Sequence, residues 1–368
     1  MGALKEVELV STSMFLPGEP IPFENVEKTL GVFNSAPPKI QKMIPKLLGV
    51  MRKIIKTEYS YFALDPETRK PTDNNASMGA KAISIALKKA SMKPEEIECI
   101  VLGAPVPDYL IPTTTTFIQE KLKIKKCVEI EVHSNCTGMS KALAIAYDAI
   151  RVGRYKNVAV VYSQNPSAYL NVEHYKQDKI KPENLLLRWF LSDGASAFIL
   201  RGQDNMTSGI KLLGVYNDSI GSTHAPGMWL YLGAGNLNLP KVFDQGEHHF
   251  GQDYGTVNEL APLIGVEGFA GLLKECGLTV DMIDHLAITL PSTKLEAEAK
   301  ALFKKELGMP PEKWFSNVDK KGYVGGGSVM GCIDEIIEKG LINKGDVVVG
   351  FAVESSKWMN GGFALKKL

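Results

Sequence analysis

The sequence has no run of about 18 consecutive apolar residues, the length a helix needs to cross a bilayer, so no membrane span is expected. It also lacks a charge excess. Its 42 Lys and Arg against 41 Asp and Glu leave a net charge of +1, which gives no reason to expect a nucleic acid as partner. Cysteine is scarce: Cys99, Cys127, Cys136, Cys276 and Cys332 are widely spread and form no CxxC pair. That pattern fits reduced thiols, and it excludes both a disulfide framework and a structural zinc site, so no metal is expected. Histidine is nearly as sparse, with one close pair, His248 and His249 in GEHHFGQD, read as solvated loop residues. The start, MGALKEVELVSTSMF, lacks the basic region, apolar stretch and small-residue cleavage site of a secretory signal, so a cytoplasmic location is expected.

What is present is an internal repeat. ALKKASMKPEEIECIVLGAP (86–105) aligns without a gap on LLKECGLTVDMIDHLAITLP (272–291), so that Leu87 meets Leu273, Ile97 meets Ile283 and Pro105 meets Pro291. Each copy reads as the end of an amphipathic helix, a polar turn and a continuous apolar strand, the pattern of a sheet buried on both faces. The match continues downstream through a helix, a strand, a small-residue turn, a second helix and another strand, ending in NVAVVYSQ and DVVVGFAVE. The fold class expected is therefore α/β, with one unit used twice. The halves span 1–205 and 206–368 and join near the polar stretch RGQDNMTSG. Residues 37–56 read as a basic amphipathic helix, either a solvated cap or a surface for a partner or a cofactor phosphate. Residues 216–256, rich in glycine and aromatics, read as covering loops near a site.

In EVHSNCTGMSKALAIAYDAI (131–150), Cys136 sits where a strand-like run gives way to a helix. The first N–H groups of a helix have no internal partner. A thiol there is expected to ionise more easily, and the same N–H groups can hold an oxyanion developing on a thioester carbonyl. Read alone, the SNCTG turn also suits a small buried residue.

PDYLIPTTTTFIQEKL, SNCTG, GRYKNVAVVYSQ, FLSDGASAFIL, VDKKGYVGGGS and GDVVVGFAVESSKWMNGGFAL follow one another in an order and spacing that resembles the β-ketoacyl-acyl-carrier-protein synthase III branch of the thiolase superfamily. TLPSTK (289–294) is similar to a segment of the related 3-hydroxy-3-methylglutaryl-coenzyme A synthases. The resemblance implies a thiolase fold, five-layered αβαβα, built from two duplicated α/β halves. It implies a homodimer, and a nucleophilic Cys136 acylated from a coenzyme A or acyl-carrier-protein thioester, with no further cofactor. It also implies substrate-binding roles for Ile111, which would reach into the partner's acyl pocket, for Lys294 beside a coenzyme A phosphate, and for Ser355 and Ser356 in an oxyanion-hole loop.

The sequence departs from the family where a catalytic histidine and asparagine are expected: those positions fall on Thr289 and Tyr323. A threonine hydroxyl is no general base at neutral pH, and a tyrosine offers one hydrogen bond. Loss of CO2 from a malonyl thioester leaves an enolate that the missing pair would stabilise, so routine malonyl condensation is not expected. The reading that follows is an acyltransferase that loads Cys136 and passes the acyl group to an unidentified acceptor. Its alternatives are a carbon–carbon condensing ketosynthase with non-standard residues, or a subunit paired with a second ketosynthase-like chain. His133, His224 and Tyr323 are candidates for moving the proton, and His285 reads as structural. If the basic helix docks an acidic carrier protein, reversing Lys42, Lys46 and Lys53 to Glu should lower the rate of acyl transfer from that protein; an unchanged rate removes the idea.

Overall fold

The computed structural model describes residues 3–236 and 238–368. The first half contributes β1 (Glu6–Phe15), β2 (Cys99–Ala104), β3 (Val128–His133), β4 (Asn157–Gln164) and β5 (Gly194–Gln203). The second contributes β6 (Ile210–Ser219), β7 (His285–Ile288), β8 (Trp314–Phe315), β9 (Val347–Glu354) and β10 (Met359–Lys367). The longer helices are α1 (Pro38–Ile54), α2 (Asn75–Lys89), α3 (Thr114–Lys121), α4 (Gly138–Arg151), α5 (Tyr254–Glu275), α6 (Thr293–Leu307) and α7 (Gly326–Glu338).

Strand order across the hydrogen-bonded sheet is β8-β7-β9-β10-β6-β1-β5-β4-β2-β3. Read outward from the middle, β6-β10-β9-β7-β8 repeats β1-β5-β4-β2-β3, so the two halves share one topology and the repeat in the sequence is a repeat in space. They meet through a short antiparallel pairing in which Val7, Glu8 and Leu9 face Leu212, Lys211 and Ile210. Elsewhere the two five-stranded sheets diverge and enclose α4 and α7. Helix α4 packs on β2 and β4 on one side and on β6 and β10 on the other, while α7 packs on β1 and β5 and on β9. Helices α2 and α3 cover the first sheet, and α5 and α6 cover the second. This is the five-layered αβαβα thiolase fold.

The composition of each layer follows its burial. Every residue of β2 and β4 is buried, which is why β2 and the middle of β4 read as unbroken apolar runs. Helix α4 turns Met139, Ala142, Leu143, Ala146 and Ile150 inward, whereas α7, between two sheets, is buried from Gly326 to Asp334. Buried Asp334 accepts from Thr12 Oγ1 at 2.7 Å and Lys89 Nζ at 2.8 Å, which ties the central layer to the first half.

Two expectations need correction. Residues 216–256 are more regular than expected: they include the end of β6, a short ribbon of Met228–Trp229 against Gly251–Gln252, and a helix over Leu239–Gln245. His248 and His249 are not solvated; each is 2% exposed. His248 Nε2 pairs with the His174 carbonyl at 2.9 Å, and the His249 ring accepts from the Lys176 N–H at 3.0 Å. Burial holds His174 at about 4 and His249 at about 3, so both rings are neutral and clasp two loops together. Among the described residues no helix is long and apolar enough to cross a membrane, and no group of side chains is arranged to hold a metal ion.

Sheet and central helix approach closely at Gly103 of β2, where an added Cβ would lie 2.4 Å from the Gly138 carbonyl oxygen at the start of α4. Gly103→Ala should cost about 1–3 kcal/mol of stability, read as a lower denaturation midpoint with an unchanged slope.

Candidate active site

The carboxyl ends of the parallel strands of both halves open on one cavity of about 1210 Å³, as expected for ligand sites in α/β sheets. Cys136, just after β3, lines it together with His133, Thr289 after β7, Tyr323 before α7, and Ser355 and Ser356 after β9. Helix α1 forms part of the wall through Met51, Ile54 and the following Ile55, while Lys39, Lys42, Lys46 and Lys53 face solvent. The ribbon at 228–229 and 251–252 contributes Met228, Trp229 and Gln252, so the 216–256 region does cover the site.

Cys136 and Tyr323 occupy corresponding places before the two central helices, and their side chains meet: Sγ lies 3.6 Å from the phenol oxygen. A run of glycines makes this approach possible. A Cβ on Gly326 would sit 2.4 Å from the Cys136 carbonyl oxygen, and one on Gly325, which has φ +53°, would sit 2.7 Å from Gln164 Oε1. The Tyr323 carbonyl accepts from the Ser192 N–H at 2.9 Å and from Gln164 Nε2 at 3.3 Å, which fixes the residue from the first half.

The start of α4 is occupied. Glu354, at the end of β9 and 1% exposed, accepts from the Thr137 N–H at 3.1 Å, Thr137 Oγ1 at 2.6 Å, Ser134 Oγ at 2.8 Å and Ser356 Oγ at 2.5 Å. Lys141 Nζ in turn reaches Ser134 Oγ at 2.8 Å. The Gly138 N–H is bonded to the Asn135 carbonyl at 2.9 Å. Two of the helix-start donors that the sequence reading reserved for an oxyanion, the Thr137 and Gly138 N–H groups, therefore already have partners.

Two family models match the chain: 3-oxoacyl-[acyl-carrier-protein] synthase III over residues 130–219, and the C-terminal part of the same family over residues 273–355. The β-ketoacyl-[acyl-carrier-protein] synthase III of Caldanaerobacter subterraneus is 27% identical over 285 residues, 77% of this chain and 80% of that one. Its counterpart in Clostridium acetobutylicum is 25% identical over 352 residues, 95% of each chain. The structure of the tetronic acid condensing enzyme AbyA1 superposes with a TM-score of 0.80 at 23% identity, covering 98% of this chain and 99% of the other, and so shares the fold. The chain belongs to the synthase III branch of the thiolase superfamily. It is a ketosynthase III-like transferase, an enzyme that condenses or transfers acyl groups.

Burial first, and then the charge of Glu354, push the Cys136 thiol up to about 11; the Tyr323 hydroxyl and a backbone N–H pull weakly the other way. The easier ionisation expected at the helix start is overturned, because the carboxylate already there opposes a thiolate. Burial likewise raises Tyr323 and fully buried Tyr162 well above the ordinary phenol range. The resting site is thus a neutral thiol beside neutral phenols.

The other nominated residues divide by position. Thr289 is buried in the cavity wall and His133 is exposed at its edge; among the described residues, Tyr323 is the side chain that hydrogen-bonds the Cys136 sulfur. His224 lies outside the cavity lining, with its ring against Trp358 at a centroid distance of 6.2 Å. Lys294 also lies outside it, exposed and 3.7 Å from Glu298 on the next turn of α6. Ile111 projects from its own chain beside exposed Tyr109 and Leu110. His285 bonds the Leu341 carbonyl at 3.0 Å, the structural role expected of it. Glu354, Tyr162, Gln164 and Lys141 escaped the sequence reading. For Glu354 there was a signal, an acidic residue ending the apolar run VVVGFAV, which a buried strand does not tolerate without partners.

Glu354→Gln keeps an acceptor for Thr137 and removes the charge, so the Cys136 pKa should fall, though not below the ordinary thiol range, because burial still raises it. Tyr323→Phe should raise it, because the hydroxyl favours the thiolate. Mass-mapped alkylation of Cys136 by iodoacetamide across pH reads both: the wild-type midpoint near 11 should move down in the first variant and up in the second.

Proposed function

We propose that this chain is an acyltransferase that takes an acyl group from a coenzyme A or acyl-carrier-protein thioester onto Cys136 and passes it to an acceptor nucleophile. The reading rests on one observation: a protonated thiol faces a large cavity with a phenol 3.6 Å away and a threonine where decarboxylating relatives would need a base.

In the first step Cys136 Sγ attacks the thioester carbonyl. The new C–Sγ bond forms as the C–S bond to the donor breaks. The proton on Sγ moves to the Tyr323 oxygen, the Tyr323 proton moves to the departing sulfur, and the donor leaves as a free thiol. Such a relay suits a phenol, which both donates and accepts, and needs no ionised resting group. In the second step a heteroatom acceptor attacks the acyl carbon, the C–Sγ bond breaks, and the acceptor's proton returns to Sγ. A carrier protein would meet the lysines along α1, whose opposite edge lines the cavity.

Carbon–carbon condensation is the second reading, favoured by the names of the relatives in Caldanaerobacter and Clostridium. It requires a carbon nucleophile activated elsewhere, since Thr289 and Tyr323 do not replace an imidazole and an amide at an enolate. Exposed Tyr109, Leu110 and Ile111 form an apolar loop that suits burial against a second copy or a related subunit.

Intact-protein mass spectrometry with a panel of acyl-coenzyme A and acyl-carrier-protein thioesters tests the proposal. The mass should rise by the acyl group in the wild type and stay constant in Cys136→Ala. A wild type that no thioester modifies would overturn the reading.

A further inference from the structure

The cavity wall holds one lysine and no arginine. Lys141, in the first turn of α4, is half-buried; its Nζ donates to Ser134 Oγ at 2.8 Å and lies 3.0 Å from Met359 Sδ. Half-buried Lys56, Lys211 and Lys300 each pair with a carboxylate, whereas Lys141 forms no ion pair among the described residues. The two carboxylates of the lining are engaged elsewhere. Asp108 accepts the Asn75 and Ala76 N–H groups at 2.9 Å each, and Glu354 is linked to Lys141 through the Ser134 hydroxyl, 2.8 Å from both. An ammonium has three donors and a thioether is a weak acceptor, so at least one N–H of Lys141 is left for a group that enters the cavity.

From this geometry we infer, building on the acyl-transfer reading, that Lys141 is an anion-binding residue of the cavity and that a substrate held there carries a carboxylate, on the acyl group or on the acceptor. A partly desolvated cation with no counter-charge is costly, and an incoming carboxylate supplies both the charge and the acceptor oxygens. One cation suits a monoanion. A dianionic phosphate would leave a charge unbalanced, with the Glu354 carboxylate one hydroxyl away to repel it. Lys141 contacts Ser134 and Met359, whereas the Cys136 sulfur contacts Tyr323, so the lysine can hold the far end of a molecule that reacts at the cysteine. A neutral acyl chain passed to a neutral acceptor would leave the ammonium without an anionic partner at every step.

Calorimetric binding of probe pairs that differ only by a carboxylate in place of a methyl group tests the site apart from the chemistry. On the donor side the pairs are S-carboxyethyl- against S-propyl-coenzyme A and S-carboxybutyl- against S-pentyl-coenzyme A, thioethers that cannot acylate the cysteine. On the acceptor side they are glycolate against ethanol and γ-hydroxybutyrate against butanol. In the wild type the carboxylate should bind at least about tenfold tighter in one of the two sets, and that set names the molecule that carries the charge. Lys141→Met should bring the ratio near one, and Lys141→Arg should keep a preference for the carboxylate. Thermal unfolding reports the fold of each variant, and Lys141→Gln, which retains a donor for Ser134, preserves the comparison if Lys141→Met does not fold. Wild-type ratios near one in every pair, or a preference that persists in a folded neutral variant, overturn the inference. If Cys136 accepts no acyl group from any thioester while the Lys141-dependent preference holds, the acyl-transfer reading falls and the anion site stands.

Discussion

The carboxylate of Glu354 at the start of α4 is the interaction on which the site depends. It comes from the last residue of β9 in the second half and closes the helix that begins beside Cys136 in the first. A buried carboxylate is tolerable only with donors, and Thr137, Ser134 and Ser356 supply them. One side chain thereby joins the halves, takes the Thr137 N–H at the helix start and places a charge beside the thiol. A thiol beside it is held protonated, although a helix N-terminus with no carboxylate would favour the thiolate.

Duplication explains why a tyrosine stands opposite the cysteine. Each half starts its central helix at the inner edge of its own sheet, and the two helices run side by side between the sheets. The residues preceding them must meet, provided the backbones can come close, and the glycines at 325–327 allow it. The resulting pair is neutral and hydrogen-bonded. A phenol so placed can both accept a proton from the sulfur and donate one, which is the use the proposed acyl transfer makes of it.

The walls around this pair come from elements with other structural tasks. Helix α1 is amphipathic and half exposed, yet its buried edge faces the cavity. The ribbon at 228–229 and 251–252 covers the mouth and lies next to a loop clasped by buried histidines. Helices α5 and α6 protect the second sheet, and one edge of each also lines the cavity.

The repeat, the βα units and the helix starting after Cys136 were legible in the sequence alone. These features are local in the chain or recur at a fixed offset, so periodicity and alignment register them. The tertiary structure alone decided that Glu354 caps the helix of the other half, that His248 and His249 are buried, that His224 and Lys294 lie outside the cavity, and that Ala261 and Ala299 line it. The physical reason is the same in each case. A charge's effect on a thiol, a ring's solvation and a place in the cavity wall depend on neighbours brought close by packing; Glu354 and Cys136 lie more than two hundred residues apart, and no local pattern encodes their contact.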